Sequence, residues 1–418
     1  MTIQATKPTS TLFVFVTVLL DTLGIGLIIP VGPRLVASFL NEDLGAASHW
    51  FGLLFAVYSV MQFFFAPILG GLSDRFGRRT LILGSLFGAG LSYLLSGFAP
   101  ALSWLMAGRV ISGITGASFS AANAYVADVT PPEKRAQSFG LIGAAFGLGF
   151  ILGPALGGLL GEYGLRVPYF AAAGLNFVNF LYGVFVLPES LRPEDRRSFS
   201  FRRANPLGSL KNLGRHPVVL GLTGTMTCGY MAQWILQSVW ALSNQARFGW
   251  SVREVGISLM VVGVSTALVQ GVLIRALLPP LGERRALLLG LGLGAVGHLG
   301  FGLAQHGWVM YAMLFPFALA GLAGPATQAL ITREVGPSEQ GELQGSLNSL
   351  AGLTAIVGPL LGTDLLARFA PATAHPRIPG APFLAAACFS VLGLALAVRL
   401  FRRMPAAPAP APAVALAD

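Results

Sequence analysis

The sequence predicts an all-α membrane protein: twelve transmembrane helices arranged as two pseudo-symmetric six-helix halves. Three observations carry this reading. The 418 residues are 54% hydrophobic and only 11% charged, with a mean hydropathy of +0.70, whereas a soluble domain carries about 25% charged residues. Twelve apolar runs each approach the ~20 residues needed to cross ~30 Å of hydrocarbon. The second six runs also repeat landmarks of the first.

Helix 1 is expected at 11–33; it follows Lys7 with no small-residue cleavage site, so it is a span and not a cleaved signal peptide. Helices 2 and 3 (50–71 and 80–99) flank Gly70-Gly-Leu-Ser-Asp-Arg-Phe-Gly-Arg-Arg79, which crowds Asp74, Arg75, Arg78 and Arg79 into a glycine-bearing turn. A lipid-exposed charge costs ~2.5–3.5 kcal/mol even on the lenient insertion scale, so this turn lies at a membrane face. Helix 4 (103–127) ends at Asp128 before Pro131-Pro-Glu-Lys-Arg135, and helices 5 and 6 follow at 137–161 and 168–188. The hydrophilic segment 189–216 is expected to be a cytoplasmic loop dividing an N-terminal half, 1–188, from a C-terminal half, 217–403. Helices 7 to 12 are expected at 217–243, 252–278, 286–305, 308–332, 342–368 and 381–401, before an Ala/Pro-rich, disordered tail at 404–418.

Charge asymmetry orients the chain. Even-to-odd loops and both termini hold twenty Lys/Arg, against five (Arg166, Arg247, Arg253, Arg368 and Arg377) in the opposite loops. This places both termini in the cytoplasm. The halves echo one another: Phe76-Gly-Arg-Arg79 recurs in Leu281-Gly-Glu-Arg-Arg285, and Gly153-Pro154 recurs as Gly358-Pro359. The second half keeps the basic pair but has no aspartate in the place of Asp74, so function is expected to differ between halves.

Several function classes are excluded as expectations. The net charge of +10 is spread over helix ends and not gathered into a patch with interleaved aromatics, so no nucleic-acid partner is expected. Cys228 and Cys388 both lie in apolar runs, giving neither a disulfide framework nor a metal site. Gly290-Leu-Gly-Leu-Gly-Ala-Val-Gly297 follows no strand and lies within a span, so helix packing accounts for it better than a dinucleotide does. An enzyme would need His, Asp and Glu clustered at one depth, yet only His298 of five histidines lies well inside a span. No cofactor, metal or catalytic residue is expected.

The candidate residues fall into groups. Glycines at 149, 153 and 157 give helix 5 a side-chain-free groove, and Pro154 kinks it beside Gly158. Asp21, about one-third of the way in from the cytoplasmic side, has two open readings: a desolvated, reversible proton carrier, or a structural acid bonding backbone near a gate. Arg109, near the start of helix 4, is its counter-charge. Asp74, Arg75 and Arg78 form a conformational latch that Asp128 either joins or flanks as a solvated helix-end acid. Among intramembrane polar residues, Gln62, Asn123, Gln233, Trp234, Gln237 and Gln270 are candidates for substrate contact; Gln233, Trp234 and Gln237 combine amides with a stacking face on one helix. Each amide alternatively bonds only between helices.

The loop pattern Gly-x-x-x-Asp-Arg-x-Gly-Arg-Arg resembles that between helices 2 and 3 of the major facilitator superfamily, and the helix 5 spacing resembles the antiporter motif of its drug exporters. Asp21-Thr-Leu-Gly-Ile-Gly-Leu-Ile-Ile-Pro30, Tyr58-Ser-Val-Met-Gln62, Gly113-Ile-Thr-Gly-Ala117 and Leu343-Gln-Gly-Ser-Leu347 further resemble the Gram-negative tetracycline/proton antiporters, from about Leu19 to Pro359. The resemblance implies proton-coupling roles for Asp21 and Arg109 and a matching glutamine at Gln270. It also implies acids in helices 3 and 9 and a helix 8 histidine, where this chain has Ser92, Gly294 and Thr266. Losing those acids weakens the case for a metal–tetracycline chelate; His298, one turn from Gly294, is the candidate substitute.

The expected function is therefore proton-coupled efflux of a small amphipathic drug or metabolite by alternating access. The expected setting is a monomeric, multi-pass protein of the inner membrane, whose partners are the substrate, protons and the bilayer. The alternatives are an uptake symporter or a non-transporting polytopic membrane protein.

Overall fold

The computed structural model describes residues 8–116, 118–196, 217–336 and 339–403. The tail and most of the basic central loop lie outside them. Helix 1 is Pro8–Ile28, followed across a 40° bend by a short helix, Gly32–Ser38. Helices 2 and 3 are Leu44–Phe76 and Arg78–Gly97; helix 4 is two segments, Leu102–Thr115 and Ser118–Val129. Helices 5, 6 and 7 are Arg135–Gly161, Val167–Val186 and Pro217–Phe248. Helix 8 runs from Val252–Leu268 through a π-helical turn, Val269–Leu273, into Ile274–Leu303, whose remainder beyond Gly282 is helix 9. Helix 10 joins Gly307–Leu319 to Ala323–Arg333 through a 3₁₀ turn; helices 11 and 12 are Gln340–Phe369 and Ala381–Arg403.

Among the described residues, eight helices pass on length and composition as spans, or nine with the bent helix 1 counted. The remaining three of the twelve have physical reasons to be missed. Helix 4 is interrupted, helix 7 is too rich in Thr, Ser and Gln, and helices 8 and 9 run together as one 52-residue stretch. That stretch turns at Gly282, whose φ of 73° favours glycine, as does the 104° at Gly77 between helices 2 and 3. Caps set other boundaries: Asp43 accepts from the Ala46 amide at the start of helix 2, and Ser251 with Glu254 forms a capping box on helix 8.

Helix 1 packs on helices 5 and 6, helix 3 on helices 4 and 6, helix 7 on helices 11 and 12, and helix 9 on helices 10 and 12. The two halves meet chiefly through two helix pairs, 2 with 11 and 5 with 8. The sides of the molecule are named here by their charge: the basic face carries Arg75, Arg78, Arg79, Arg284 and Arg285, and the opposite face carries the other helix ends. Arg34 lies on the opposite face, adding a sixth basic residue to the five counted there.

One apolar core spans both halves at the opposite face, joining Val31, Val36, Phe51 and Tyr169 to Trp240, Trp250, Val255 and Leu366. Toward the basic face the core divides in two. One cluster, with Phe13, Leu86, Tyr125 and Ile142, belongs to the first half, and another, with Leu222, Leu287, Ile331 and Leu347, belongs to the second.

Candidate functional site

Helix 5 is the junction on which this division is built. A Cβ on Gly153 would sit 2.7 Å from the Gly26 Cα of helix 1, and one on Gly149 would sit 2.7 Å from the Thr22 Cβ. A Cβ on Gly157 would strike the Leu27 carbonyl. The three glycines therefore let helix 1 lie backbone to backbone on helix 5. Gly158 and the Pro154 carbonyl instead meet Gly256 of helix 8, in the other half, and Ile151 meets Gly263.

The contact with helix 8 stops there. Gly147 and Gly140 lie four and eleven residues before Ile151, hence on the same helix face, yet a Cβ on either meets nothing within 4 Å among the described residues. The second pair behaves alike. Gly52 meets Thr363 and Gly352 meets Phe63, but Gly70 and Gly341, two turns past Phe63 and three before Gly352 toward the basic face, are open among the described residues. The halves are thus closed from the opposite face to mid-depth and parted toward the basic face.

Polar contacts add little to the closure. Arg34 donates to the Trp250 carbonyl at 3.0 Å and Gln245 to the Pro30 carbonyl at 3.5 Å. Glu162–Arg253 at 3.8 Å and His49–Asp364 at 4.0 Å are exposed, and such ion pairs contribute ~0–1 kcal/mol. The apolar cluster holds the seal. Because the Gly26–Gly153 crossing joins two backbones that cannot yield, Gly153→Val is expected to cut transport at least about tenfold through overpacking. Gly147→Val, placed in open space, is expected to leave it within about twofold. Vesicle transport at matched expression compares the two; equal activity would show that the crossing is not needed.

Asp21 and Arg109 lie near one another in depth. Asp21 lies thirteen residues after the start of helix 1, Pro8, and about one-third of the way along the bent span from Leu12 to Ser38. Asp21 precedes the end of helix 1, Ile28, by seven residues, and Arg109 follows the start of helix 4, Leu102, by seven. At 1.5 Å per residue Asp21 is ~10 Å from the bend of helix 1 and Arg109 ~10 Å from the opposite-face end of helix 4. Their charges both bear on Tyr58 of helix 2 and Tyr93 of helix 3, and that of Arg109 also on Tyr169. Gln62 donates to the Tyr58 hydroxyl at 3.2 Å and to the Gly116 carbonyl at 3.1 Å, where helix 4 breaks. Gln62 therefore satisfies a backbone group that the break leaves without a helical partner, a role that its sequence position does not reveal.

His298 is not part of this group. It is buried between helices 9, 10 and 12, with Nδ1 2.7 Å from the Gly294 carbonyl and 3.2 Å from Ser390 Oγ, edge-on to Phe317. Gly294 faces Ala320 and Ser390, and Ser92 bonds the Ala89 carbonyl beside Gly108, so both former acid positions turn into the packing of their own halves.

At the basic face, Arg78 donates to Asp74 at 2.5 Å, to Ser73 Oγ at 3.2 Å and to Asp128 at 3.1 Å. Asp128 is thus a member of the network. Arg75 is not in it and stacks over the Phe76 ring instead, 5.1 Å from its centroid. Sequence reasoning missed Glu189. From the end of helix 6 its carboxylate accepts from the Arg78 amide at 2.8 Å and from the Ser190 and Leu191 amides, capping helix 3 where Gly77 leaves room for it. Pro188-Glu189-Ser190 directly after an apolar run was the available signal.

Among the remaining candidates, Gln233 and Gln237 are exposed on helix 7, on the side turned away from Cys228 and its contact with helix 12. Trp234 is half-buried, its Cβ against Gly358 of helix 11. Gln270 is exposed within the π-helical turn of helix 8, and Asn123 is half-buried on the second segment of helix 4.

This arrangement matches known proteins over most of its length. The family model of the Major Facilitator Superfamily matches residues 14–359 and 225–416. The chain belongs to the Major Facilitator Superfamily. It is 42% identical over 354 residues to the class C tetracycline resistance protein of Escherichia coli, covering 84% of this chain and 88% of that one. It is 39% identical to the class B protein of the same organism, covering 84% and 87%. Among solved structures, the human organic anion transporter MFSD10 aligns with a TM-score of 0.69 at 26% identity, covering 94% of this chain and 100% of that one. The nucleoside transporter NupG aligns at 0.77 and 12% identity, covering 94% and 99%, a likeness of fold alone.

Proposed function

We propose that the protein exports a small amphipathic drug or metabolite across the inner membrane in exchange for protons, by alternating access. The observation that carries this is the helix 5 face, where glycines admit helix 1 and then helix 8 until the two halves part. A rocking motion about such a junction opens one face as it closes the other. With both termini cytoplasmic, as the charge asymmetry favours, the parted state is open to the cytoplasm, ready to receive an internal substrate. Gln233, Gln237 and Trp234 on helix 7, with Gln270 and Asn123, supply amides and one aromatic face for a ligand. Asp21 is the carboxylate assigned to the exchanged proton, with Arg109 as its counter-charge.

A growth-inhibition panel of structurally diverse antibiotics and dyes, with and without the expressed protein, tests export. Uptake into energised inverted vesicles then gives the direction, and loss of substrate from such vesicles would indicate import instead.

The tetracycline resistance proteins are relatives, but the chelate itself fits the site residues poorly. Ser92 and Gly294 stand where acids are expected, and both face interior packing. A neutral or monocationic amphipathic drug is expected to be carried at least about tenfold better than magnesium–tetracycline, because fixed negative charge is scarce. Chelating magnesium is expected to leave transport unchanged. Strong, magnesium-dependent tetracycline efflux would overturn this assignment.

A further inference from the structure

The second half holds an ion pair of reversed sign at the position of the Arg78–Asp128 pair. Arg78 and Asp128 are 50 residues apart, as are Glu283 and Arg333. Each member follows its counterpart by 205 residues, the offset that also separates Gly77 from Gly282 and Pro154 from Pro359. Arg333 grips Glu283 with both terminal nitrogens, at 2.5 and 2.9 Å, in a forked geometry.

The reversal has a physical consequence. In the first half, a cation begins helix 3 and an anion closes helix 4, each unfavourable to its helix dipole. Glu189 offsets the first by capping helix 3, and Arg78 is shared between Asp74 and Asp128. In the second half, an anion begins helix 9 and a cation ends helix 10, each favourable. The counterpart of Glu189 is Leu394, within helix 12, and those of Asp74 and Arg75 are Pro279 and Pro280, so none of these counterpart positions holds an acid.

We propose that Glu283–Arg333 is a standing clamp: it remains closed through the transport cycle and makes the basic end of helices 9 and 10 one rigid plate, while the Arg78 network rearranges. This rests on the alternating-access reading above. The test joins Glu283→Cys and Arg333→Cys with a short bis-maleimide, in a chain whose Cys228 and Cys388 are both replaced by serine. Vesicle transport of a drug from the panel is expected to keep at least half of the unlinked rate. Arrest on linking a protein that transports when unlinked would overturn the clamp.

A second measurement needs no substrate and survives failure of the efflux reading. A third cysteine, Gly147→Cys on the open stretch of helix 5, is masked with a reversible disulfide reagent during linking and then released. Its alkylation rate is expected to change less than twofold on linking. A change above fivefold would show that the pair has to separate, and would overturn the clamp even if the unlinked variant carries no drug.

Discussion

Asp74→Asn is expected to reduce transport at least about tenfold with expression and substrate binding retained, because it unbalances two states without unfolding either. The pair it breaks is exposed: Asp74 is 40% accessible, and pairs of this kind add ~0–1 kcal/mol to stability. What the mutation removes is a competitor. Arg78 stands between Asp74 and Asp128, and with Asp74 neutral its charge falls wholly to Asp128. The parted state shown here has the network formed within one half. A network that cannot exchange partners holds the basic face in one state and slows the return. Transport and equilibrium binding, measured on the same membranes, check this. Near-normal efflux by a well-expressed mutant would remove the latch role.

Asp21→Asn and Arg109→Ala are each expected to abolish substrate-induced proton release from energised inverted vesicles. Asp21 lies seven residues before the bend of helix 1 and Arg109 seven after the start of helix 4, and the charges of both bear on Tyr58 and Tyr93. Removing the cation leaves the carboxylate without its counter-charge; removing the carboxylate leaves no acid there to exchange a proton. The stakes are set by the gradient, since one proton moving down 100 mV contributes ~2.3 kcal/mol. Downhill substrate movement is expected to persist in both mutants. Unchanged proton release in both would place the proton site elsewhere, with His298 next to be tested despite its burial within the second half.

Much of this architecture was legible in the chain. Charge cannot lie in hydrocarbon without large cost, so Asp74, Arg78 and Arg79 marked a membrane face and the spacing of apolar runs gave twelve helices. Glycine periodicity on helix 5 marked a close crossing, because only a missing side chain permits one. The 205-residue repeat exposed the two halves. These signals are local: each depends on what a residue costs in lipid or on a backbone, whatever its distant neighbours.

Other properties depend on which distant atoms meet, and only the tertiary structure decided them. Gln62 reads as a cavity amide until the Gly116 carbonyl is seen beside it at the break in helix 4. Glu189 reads as a loop acid until it is found on the first turn of helix 3. His298 and Asp21 are both intramembrane titratable groups in sequence, but one is packed among helices 9, 10 and 12 and the other lies one turn from Gly24, which faces Tyr93. The sequence determined that two halves exist and where each contact surface is smooth enough to slide. The tertiary structure decided that they touch at one face and part at the other, because closure is the sum of many weak apolar contacts across helices that no single stretch of chain contains.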